Sequence, residues 1–271
     1  MIRNILSIAG TDPSGGAGIC ADLKTFSALG TYGTIVVTAV TAQNTRGVDA
    51  VYQLPGPAVA QQLNTLLADV HIDAVKIGML GTAEVIHAVA GVLTRHRPAH
   101  VVLDPVMVAK SGDRLLAADA IRALREDLLP LCDLITPNLP EAADLLGDDE
   151  AADEEEMRVQ LGRLANLTRG VLLKGGHLPG PESIDWLRID GHDTRLTAPR
   201  IITTSTHGTG CTLSAAIAAL RPQRGDWLQA VAEAKDYLTG ALRAADQLQV
   251  GSGFGPTHHF HASWPAVTSS R

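Results

Sequence analysis

The sequence is poor in cysteine and in aromatic residues. Its 271 residues contain three cysteines, Cys20, Cys132 and Cys211, which are widely spaced, odd in number and in no CxxC pair. This pattern argues against a disulfide framework and favours a reducing compartment. Aromatic residues make up only 3% of the chain, so we do not expect an aromatic-lined surface on which nucleic-acid bases could stack.

Long apolar runs are also missing. No apolar stretch approaches the roughly 20 residues needed to cross a bilayer, and the N-terminal run Ile5–Ala9 is too short for a signal peptide. We therefore expect a cytoplasmic protein with no membrane partner. The 22 basic and 29 acidic residues give a net charge of −7, which argues against a general nucleic-acid binder. This overall charge does not exclude a local positive pocket for an anionic substrate.

Short β-branched runs alternate with segments whose apolar residues recur at helical spacing, as in Val59–Val70 and Val85–Leu93. This alternation predicts an α/β fold with a mostly parallel central sheet and helices on both faces. Asp190-Gly191 between two further apolar runs predicts a small hairpin at the sheet edge. No repeat or linker interrupts the chain, so we expect one domain over residues 1–271. The predicted strands of the sheet are Asn4–Ala9, Thr34–Val40, Ala74–Ile77, His100–Leu103, Leu134–Thr136 and Val171–Leu173.

Glycine or polar residues follow each of these strands. Ligands of an open parallel sheet bind beyond the carboxyl ends of its strands, so these residues predict a binding site at one edge. They are Gly10, Gln43, Gly78, Asp104, Asn138 and Lys174.

Two glycine-rich loops lead into helical segments, over Gly10–Gly18 and Thr206–Thr212. A helix N-terminus offers free N–H groups, and glycine permits close approach, so the second loop could hold a phosphate. Neither loop matches the Walker or GxGxxG pattern. Two tight turns are the alternative interpretation, but three hydroxyls, a histidine and a thiol favour a function for the second loop.

Four side chains near these loops have chemical and structural interpretations. Cys211 would lie in the first turn of a helix, where the dipole lowers a thiol pKa, and it could accept a proton. A small buried residue is the alternative there. Lys174 could hold a transferring phosphate, although lysines are more often solvated. Asp104 follows an apolar strand and needs a partner or a cation, whereas Glu141 could simply close a capping box with Asn138.

Gln43 could recognise a heteroaromatic ring. Its carboxamide offers one donor and one acceptor side by side, which matches the edge of an aminopyrimidine. A hydrogen bond that orders its own loop is the alternative interpretation.

The motifs together resemble the bacterial hydroxymethylpyrimidine/phosphomethylpyrimidine kinases, essentially from end to end. The acidic stretch Asp148–Glu156 is the least similar part and predicts a solvated loop before a helix. The matching segments are Ala9–Ile19, Ala21–Phe26, Ala42–Gly47, Lys76–Met79, Ile135–Ala142, Lys174–His177, Thr206–Thr212 and Gly255–His261.

The resemblance implies a ribokinase-like three-layer fold and a homodimer. It also implies ATP-dependent phosphorylation of 4-amino-5-hydroxymethyl-2-methylpyrimidine and then of its monophosphate, in thiamine biosynthesis. A pyridoxal kinase of the same fold and a non-catalytic pyrimidine-binding module are the alternatives.

The residue roles that the resemblance implies fall into four groups. The anion hole and catalytic group would be Gly208, Thr209, Gly210 and Cys211 with Lys174. ATP would contact Lys174, Thr206, His207 and Gly208. Magnesium would be organised by Asp104 and Glu141. The pyrimidine would contact Gln43, Gly10, Asp22, Met79 and Val106.

Overall fold

The computed structural model describes residues 1–107, 116 and 118–265. Eight strands form the central sheet, and five of the six predicted strands are found with at most one residue of difference at either end. The exception is Thr34–Val40, where the chain divides between two sheets. The strands are β1 (Asn4–Ala9), β2 (Tyr32–Val37), β5 (Ala74–Ile77), β6 (Val101–Leu103), β7 (Leu134–Ile135), β8 (Gly170–Lys174), β9 (Glu182–Ile189) and β10 (His192–Pro199).

The sheet is mostly parallel and ends in a hairpin. Its strand order is β10-β9-β8-β7-β6-β5-β1-β2. The strands from β8 to β2 run parallel to one another, whereas β9 is antiparallel to β8. The predicted hairpin is confirmed, because β9 and β10 pair antiparallel with Ile189 opposite His192. Asp190 and Gly191 have φ values of 49° and 80°, which suits a two-residue turn between twisted strands.

Helices cover both faces of the sheet, as predicted. They are α1 (Gly18–Ala28), α2 (Gly56–Leu67), α3 (Ala83–His96), α4 (Ala118–Ala123), α5 (Leu139–Leu146), α6 (Glu154–Leu164), α7 (Thr209–Leu220) and α8 (Trp227–Arg243). Alternate residues of β1 enter different cores: Leu6 and Ile8 belong to the core that also contains residues of α2, α3, α5 and α6, whereas Ile5 belongs to the core that contains residues of α1, α7 and α8. This period of two is what a strand buried on both faces requires.

A separate two-stranded sheet corrects the prediction for Thr34–Val40. β2 ends at Val37, and Ala39 begins β3 (Ala39–Asn44), which pairs antiparallel with β4 (Gly47–Gln53). The break falls at Thr38, whose N–H donates to Ala9 O and whose hydroxyl donates to Met79 O. These two bonds direct the chain out of the central sheet. Gln43 therefore lies in a small hairpin and not at the end of a central strand.

The acidic stretch leads into α6, as predicted. Asp153 caps this helix by accepting hydrogen bonds from the N–H groups of Glu155 and Glu156, and the acidic first turn complements the helix dipole. Across residues 1–107 and 118–265, no helix combines the length and the apolar character needed to cross a bilayer.

Candidate active site

A cavity of about 670 Å³ opens at the carboxyl edge of the central sheet. The β3–β4 hairpin, both glycine-rich loops and the strand ends contribute to it, as the topology of an open parallel sheet dictates. Its lining contains all but one of the predicted site residues. These are Gly10, Gln43, Met79, Asp104, Val106, Glu141, Lys174, Thr206, His207, Gly208, Thr209, Gly210 and Cys211.

The second glycine-rich loop forms the N-terminus of α7. Gly208 is its N-cap with a left-handed φ of 74°, and a Cβ at this position would collide with the carbonyl oxygen of Gly16. The two glycine-rich loops therefore touch backbone to backbone. Among the residues that the structure describes, no side chain caps the start of α7, so its first N–H groups are available to bind an anion.

A compact charge cluster faces this helix end. The ammonium of Lys174 donates to Asp104 Oδ1 over 3.1 Å and lies 3.9 Å from Glu141 Oε2. A Cβ on Gly210 would lie 3.3 Å from both Lys174 Nζ and Asp104 Oδ2. Burial disfavours the ammonium, but the two carboxylates outweigh it, so the pKa of Lys174 is raised. The lysine is a fixed positive charge beside the helix N-terminus.

Glu141 closes a capping box and also borders the cavity. Its carboxylate accepts from the N–H of Asn138, and its own N–H donates to the Asn138 side chain, which completes the predicted capping box of α5. The same carboxylate borders the cavity. Burial, opposed by Lys174 and assisted by Asp104, raises the pKa of Glu141 to about 7.

We expect the Glu141→Gln variant to lose a pH dependence of stability. Because the pKa of Glu141 is about 7 in the folded protein against its ordinary 4.5, the folded state binds more protons between these pH values, and stability falls as pH rises through them. The change amounts to at most roughly 3 kcal/mol. Urea unfolding of both proteins at pH 5, 6, 7 and 8 measures it. Glutamine still accepts the Asn138 N–H, and parallel profiles would contradict the assignment.

Cys211 lies in the first turn of α7, as predicted, but its predicted pKa is wrong in direction. Burial, together with Asp104 and Asp22, raises the pKa to about 11 despite the opposing charge of Lys76. The loss of water around the sulfur outweighs the lowering effects of Lys76 and of the Gly18 N–H. The thiol is therefore neutral at physiological pH.

Asp22 is the predicted site residue that does not line the cavity. Its side chain is fully enclosed and pairs with Lys76 Nζ over 2.9 Å, and Ser7 donates to the same oxygen over 2.5 Å. Burial would lower the pKa of Lys76, but the Asp22 carboxylate raises it above its usual value. The prediction of a direct contact between Asp22 and substrate is corrected, because the protein leaves the carboxylate no access to the cavity.

The first glycine-rich loop is organised by Asp12, which no sequence pattern had marked out from its neighbours. Its carboxylate accepts from the N–H groups of Ser14, Gly16 and Ala17. His207 Nε2 lies 2.7 Å from Asp12 Oδ2. Burial alone would raise the pKa of Asp12, but the hydrogen bonds from His207 and Ser14 lower it to about 2.

Gln43 enters the cavity at an irregularity in the β3–β4 hairpin. The register of the two strands shifts between Ala42 and Gln43, and such bulges commonly redirect a side chain next to a binding site. The amide nitrogen of Gln43 lies 3.5 Å from His207 Nε2. The hairpin thus meets the second glycine-rich loop across the cavity.

The cavity lining also contains a buried ion pair that was not predicted. Lys235 on α8 and Asp185 on β9 pair over 2.5 Å, and Asp185 also accepts from the N–H of Gly175. Arg200 donates to carbonyl groups of the 176–182 loop and fixes its shape. These residues are far apart in sequence and follow no local motif, so only the topology brings them together.

Comparison with known proteins agrees with this geometry. A family model described as phosphomethylpyrimidine kinase matches residues 12–258. The hydroxymethylpyrimidine/phosphomethylpyrimidine kinase of Escherichia coli is 57% identical over 96% of this chain and 98% of its own.

Solved structures of related kinases share the fold. An ADP complex of Bacillus subtilis pyridoxal kinase superposes with a TM-score of 0.88 at 34% identity, over 96% of this chain and 98% of that one. The phosphomethylpyrimidine kinase of Clostridium difficile gives 0.78 at 40% identity, over 89% and 99%. The fold is that of the ribokinase-like α/β kinases. Within that class, the chain belongs to the phosphomethylpyrimidine kinase family.

Proposed function

We propose that this protein transfers the γ-phosphate of ATP to 4-amino-5-hydroxymethyl-2-methylpyrimidine and then to the resulting monophosphate, in thiamine biosynthesis. One observation carries the proposal. The open N-terminus of α7, the Lys174–Asp104 pair and the Gln43 amide all border one cavity. Residues 1–271 act as one kinase domain. The family match and the relative from Escherichia coli support this substrate.

Phosphoryl transfer needs positioning and charge stabilisation more than covalent chemistry. The first N–H groups of α7, at Thr209 and Gly210, point toward the place where phosphate oxygens would gain charge. Lys174 adds a positive charge beside them. ATP occupies the end of the cavity formed by Thr206, Lys235 and the β9–β10 hairpin. Its phosphates then reach the start of α7.

The two carboxylates of the charge cluster could share one Mg²⁺ ion as its ligands. Asp104 and Glu141 offer carboxylate oxygens on either side of Lys174, and Mg²⁺ in kinases is commonly held by one or two carboxylates together with phosphates and water. In that arrangement the two carboxylates would suffice as protein ligands, because phosphates and water would supply the rest. Mg²⁺ would supply neutralisation of the phosphate charge. Asp104 is further oriented by the hydroxyl of Thr136, 3.1 Å away.

The pyrimidine occupies the opposite end of the cavity. Met79 and Val106 provide apolar contacts for a ring, and Gln43 provides the polar contact at its edge. Gly10 is needed here because a Cβ at this position would lie 2.6 Å from Met79 Cε. A side chain at residue 10 would therefore displace the methionine that packs on the ring.

We expect Cys211→Ala to slow the first phosphorylation at least about tenfold more than the second. The hydroxymethyl group must lose a proton when it attacks, whereas a monophosphate, with its second pKa near 6, is already an oxygen anion. We infer that the proton acceptor is the thiolate form of Cys211, which is only a minor population at physiological pH, so the first rate should rise with pH as the thiol, with a pKa of about 11, ionises. Separate rates from each starting compound measure this. Equal losses in both steps would remove the assignment.

A pyridoxal kinase is the competing function, since structural neighbours have that activity. The Gln43 carboxamide at the ring end favours the aminopyrimidine. The test compares kcat/KM for hydroxymethylpyrimidine and pyridoxal in the wild type and in Gln43→Ala. We expect the wild type to prefer the pyrimidine and the variant to lose that preference. Preference for pyridoxal in the wild type would reverse the assignment.

We also propose that the enzyme is a cytoplasmic homodimer. Support for the dimer comes from exposed apolar side chains on β2 and on the small sheet, namely Tyr32, Ile35, Val40 and Tyr52. Val40 and Tyr52 are opposite each other in the β3–β4 pair, so together they form a patch that a second copy could cover. Light scattering on the purified protein tests this, and a monomer at micromolar concentration would contradict it.

A further inference from the structure

Asp12 and Gln43 both contact the same ring nitrogen of His207. His207 Nε2 lies 2.7 Å from Asp12 Oδ2 and 3.5 Å from the amide nitrogen of Gln43. A ring nitrogen carries either a hydrogen or a lone pair, so it cannot donate to Asp12 and accept from Gln43 at once. One of the two contacts must determine its state.

The shorter contact determines it. The Asp12 side chain is 1% exposed, and its two oxygens already accept from Ser14, Gly16 and Ala17. An ionised carboxylate has only lone pairs to offer. The 2.7 Å contact is therefore a hydrogen bond in which His207 Nε2–H is the donor, and it is charge-assisted. Nε2 therefore has no lone pair with which to accept a hydrogen bond from Gln43.

The orientation of the Gln43 amide follows. Its NH₂ group would oppose the N–H of His207 donor to donor, whereas its oxygen can accept the same hydrogen as the second, longer acceptor of a three-centre bond whose first acceptor is Asp12 Oδ2. The amide therefore turns about its last bond so that Oε1 faces His207 and Nε2 points away. The two ends of a carboxamide have nearly the same shape, so this rotation leaves the packing unchanged and replaces a donor–donor contact with the longer branch of a three-centre bond.

The surroundings keep the histidine in place. Its backbone N–H donates to Gly255 O over 3.0 Å. A Cβ added to Gly16 would collide with its ring and lie 3.2 Å from Pro256. The hairpin that carries Gln43 is tied to the same segment, because Phe254 N donates to Thr45 O over 2.9 Å. The distance between His207 and Gln43 is therefore built into the fold.

We propose that Asp12 and His207 form a positioning dyad that fixes the Gln43 amide and thereby decides which way round the pyrimidine ring enters the cavity. The inference rests on the proposed function. The 4-amino group pairs with Gln43 Oε1 on the His207 side, and the adjacent ring nitrogen pairs with Nε2. The 5-hydroxymethyl group is next to the amino group on the ring, so it points toward Gly208 and the start of α7.

This assignment changes the role of His207. The resemblance placed it among the ATP contacts, but its ring is committed to Asp12 and faces Gln43. Its side chain therefore serves the pyrimidine end, while its neighbour Gly208 serves the phosphate end. A reversed amide would place the ring nitrogen on the His207 side and turn the hydroxymethyl group away from α7.

Two variants and a substrate analogue test the dyad. His207→Phe keeps a ring but removes the N–H, whereas His207→Gln keeps an N–H donor. The readout is the ratio of kcat/KM for hydroxymethylpyrimidine to that for its analogue without the 4-amino group. We expect the wild type to discriminate by at least about 30-fold, His207→Phe by less than about threefold, and His207→Gln by at least about tenfold. Unchanged discrimination in His207→Phe would overturn the proposal.

A direct measurement covers the case in which His207→Phe fails to fold. In ¹⁵N-labelled wild-type protein, the ring signals of His207, assigned by their loss in His207→Gln, report which nitrogen bears the hydrogen. We expect Nε2 to be protonated. An unprotonated Nε2 would overturn the dyad whatever the activity. A wild type that leaves hydroxymethylpyrimidine unphosphorylated, with Nε2 protonated, would instead count against the proposed substrate alone.

Discussion

Lys174→Ala should lower kcat by about 1000-fold in both phosphorylations. The ammonium is held by Asp104 and Glu141 beside the open end of α7, where the transferring phosphate gains charge. Its removal also leaves two neighbouring carboxylates unneutralised, which repels ATP. The pyrimidine end does not involve this residue, so the dissociation constant for hydroxymethylpyrimidine should stay within about threefold. Initial rates and calorimetric binding measure the two effects.

Arg3→Met is the matched control for the loss of a cation. Arg3 pairs with Asp73 over 2.9 Å, is 45% exposed and precedes β1 at the opposite edge of the sheet. We expect its kinetics to equal those of the wild type. If Lys174→Ala retained more than a tenth of the wild-type kcat, the role of the lysine in phosphoryl transfer would be lost.

Gly208→Ala should reduce kcat at least about 100-fold and the free energy of unfolding by about 2–4 kcal/mol. Two costs add at this position. The left-handed φ of 74° disfavours any residue with a Cβ, and the added methyl group would collide with the Gly16 carbonyl. Relief of the collision separates the two glycine-rich loops and moves the first N–H groups of α7.

Gly147→Ala separates these two costs. Gly147 also has a left-handed φ, 69°, as the C-cap of α5. Apart from Gly147 itself, its chain neighbours and the adjacent helix backbone, no heavy atom of the described residues lies within 4 Å of the place that a Cβ would take. The variant should lose only about 1 kcal/mol of stability and no activity. Chemical denaturation and initial rates of both variants give the comparison. Similar kcat values for Gly208→Ala and the wild type would show that the loop contact is unimportant for catalysis.

Much of the fold could be predicted because the relevant signals are local. The strands β1 and β5 are short apolar runs, and the turn at Asp190-Gly191 has the residues that its positive φ values favour. The capping box from Asn138 to Glu141 is a four-residue pattern. The edge of the sheet on which the site lies also follows from parallel topology. These features depend on few contacts between distant segments.

The errors concern tertiary effects. The β-branched run Thr34–Val40 contains no turn signal, and the break at Thr38 depends on hydrogen bonds to Ala9 and Met79. Spacing also could not show that Asp22 would be closed off by Lys76. For Cys211, the helix dipole is a local effect, whereas burial, which raises the pKa, depends on the whole packed site.

A mass-resolved time course tests the two-step phosphorylation itself. The purified protein, ATP, Mg²⁺ and hydroxymethylpyrimidine are incubated, and the monophosphate and diphosphate are followed together. We expect the monophosphate to rise first and then to fall as the diphosphate accumulates, with one ADP formed for each transfer. Absence of both products, while pyridoxal is phosphorylated under the same conditions, would contradict the proposed function.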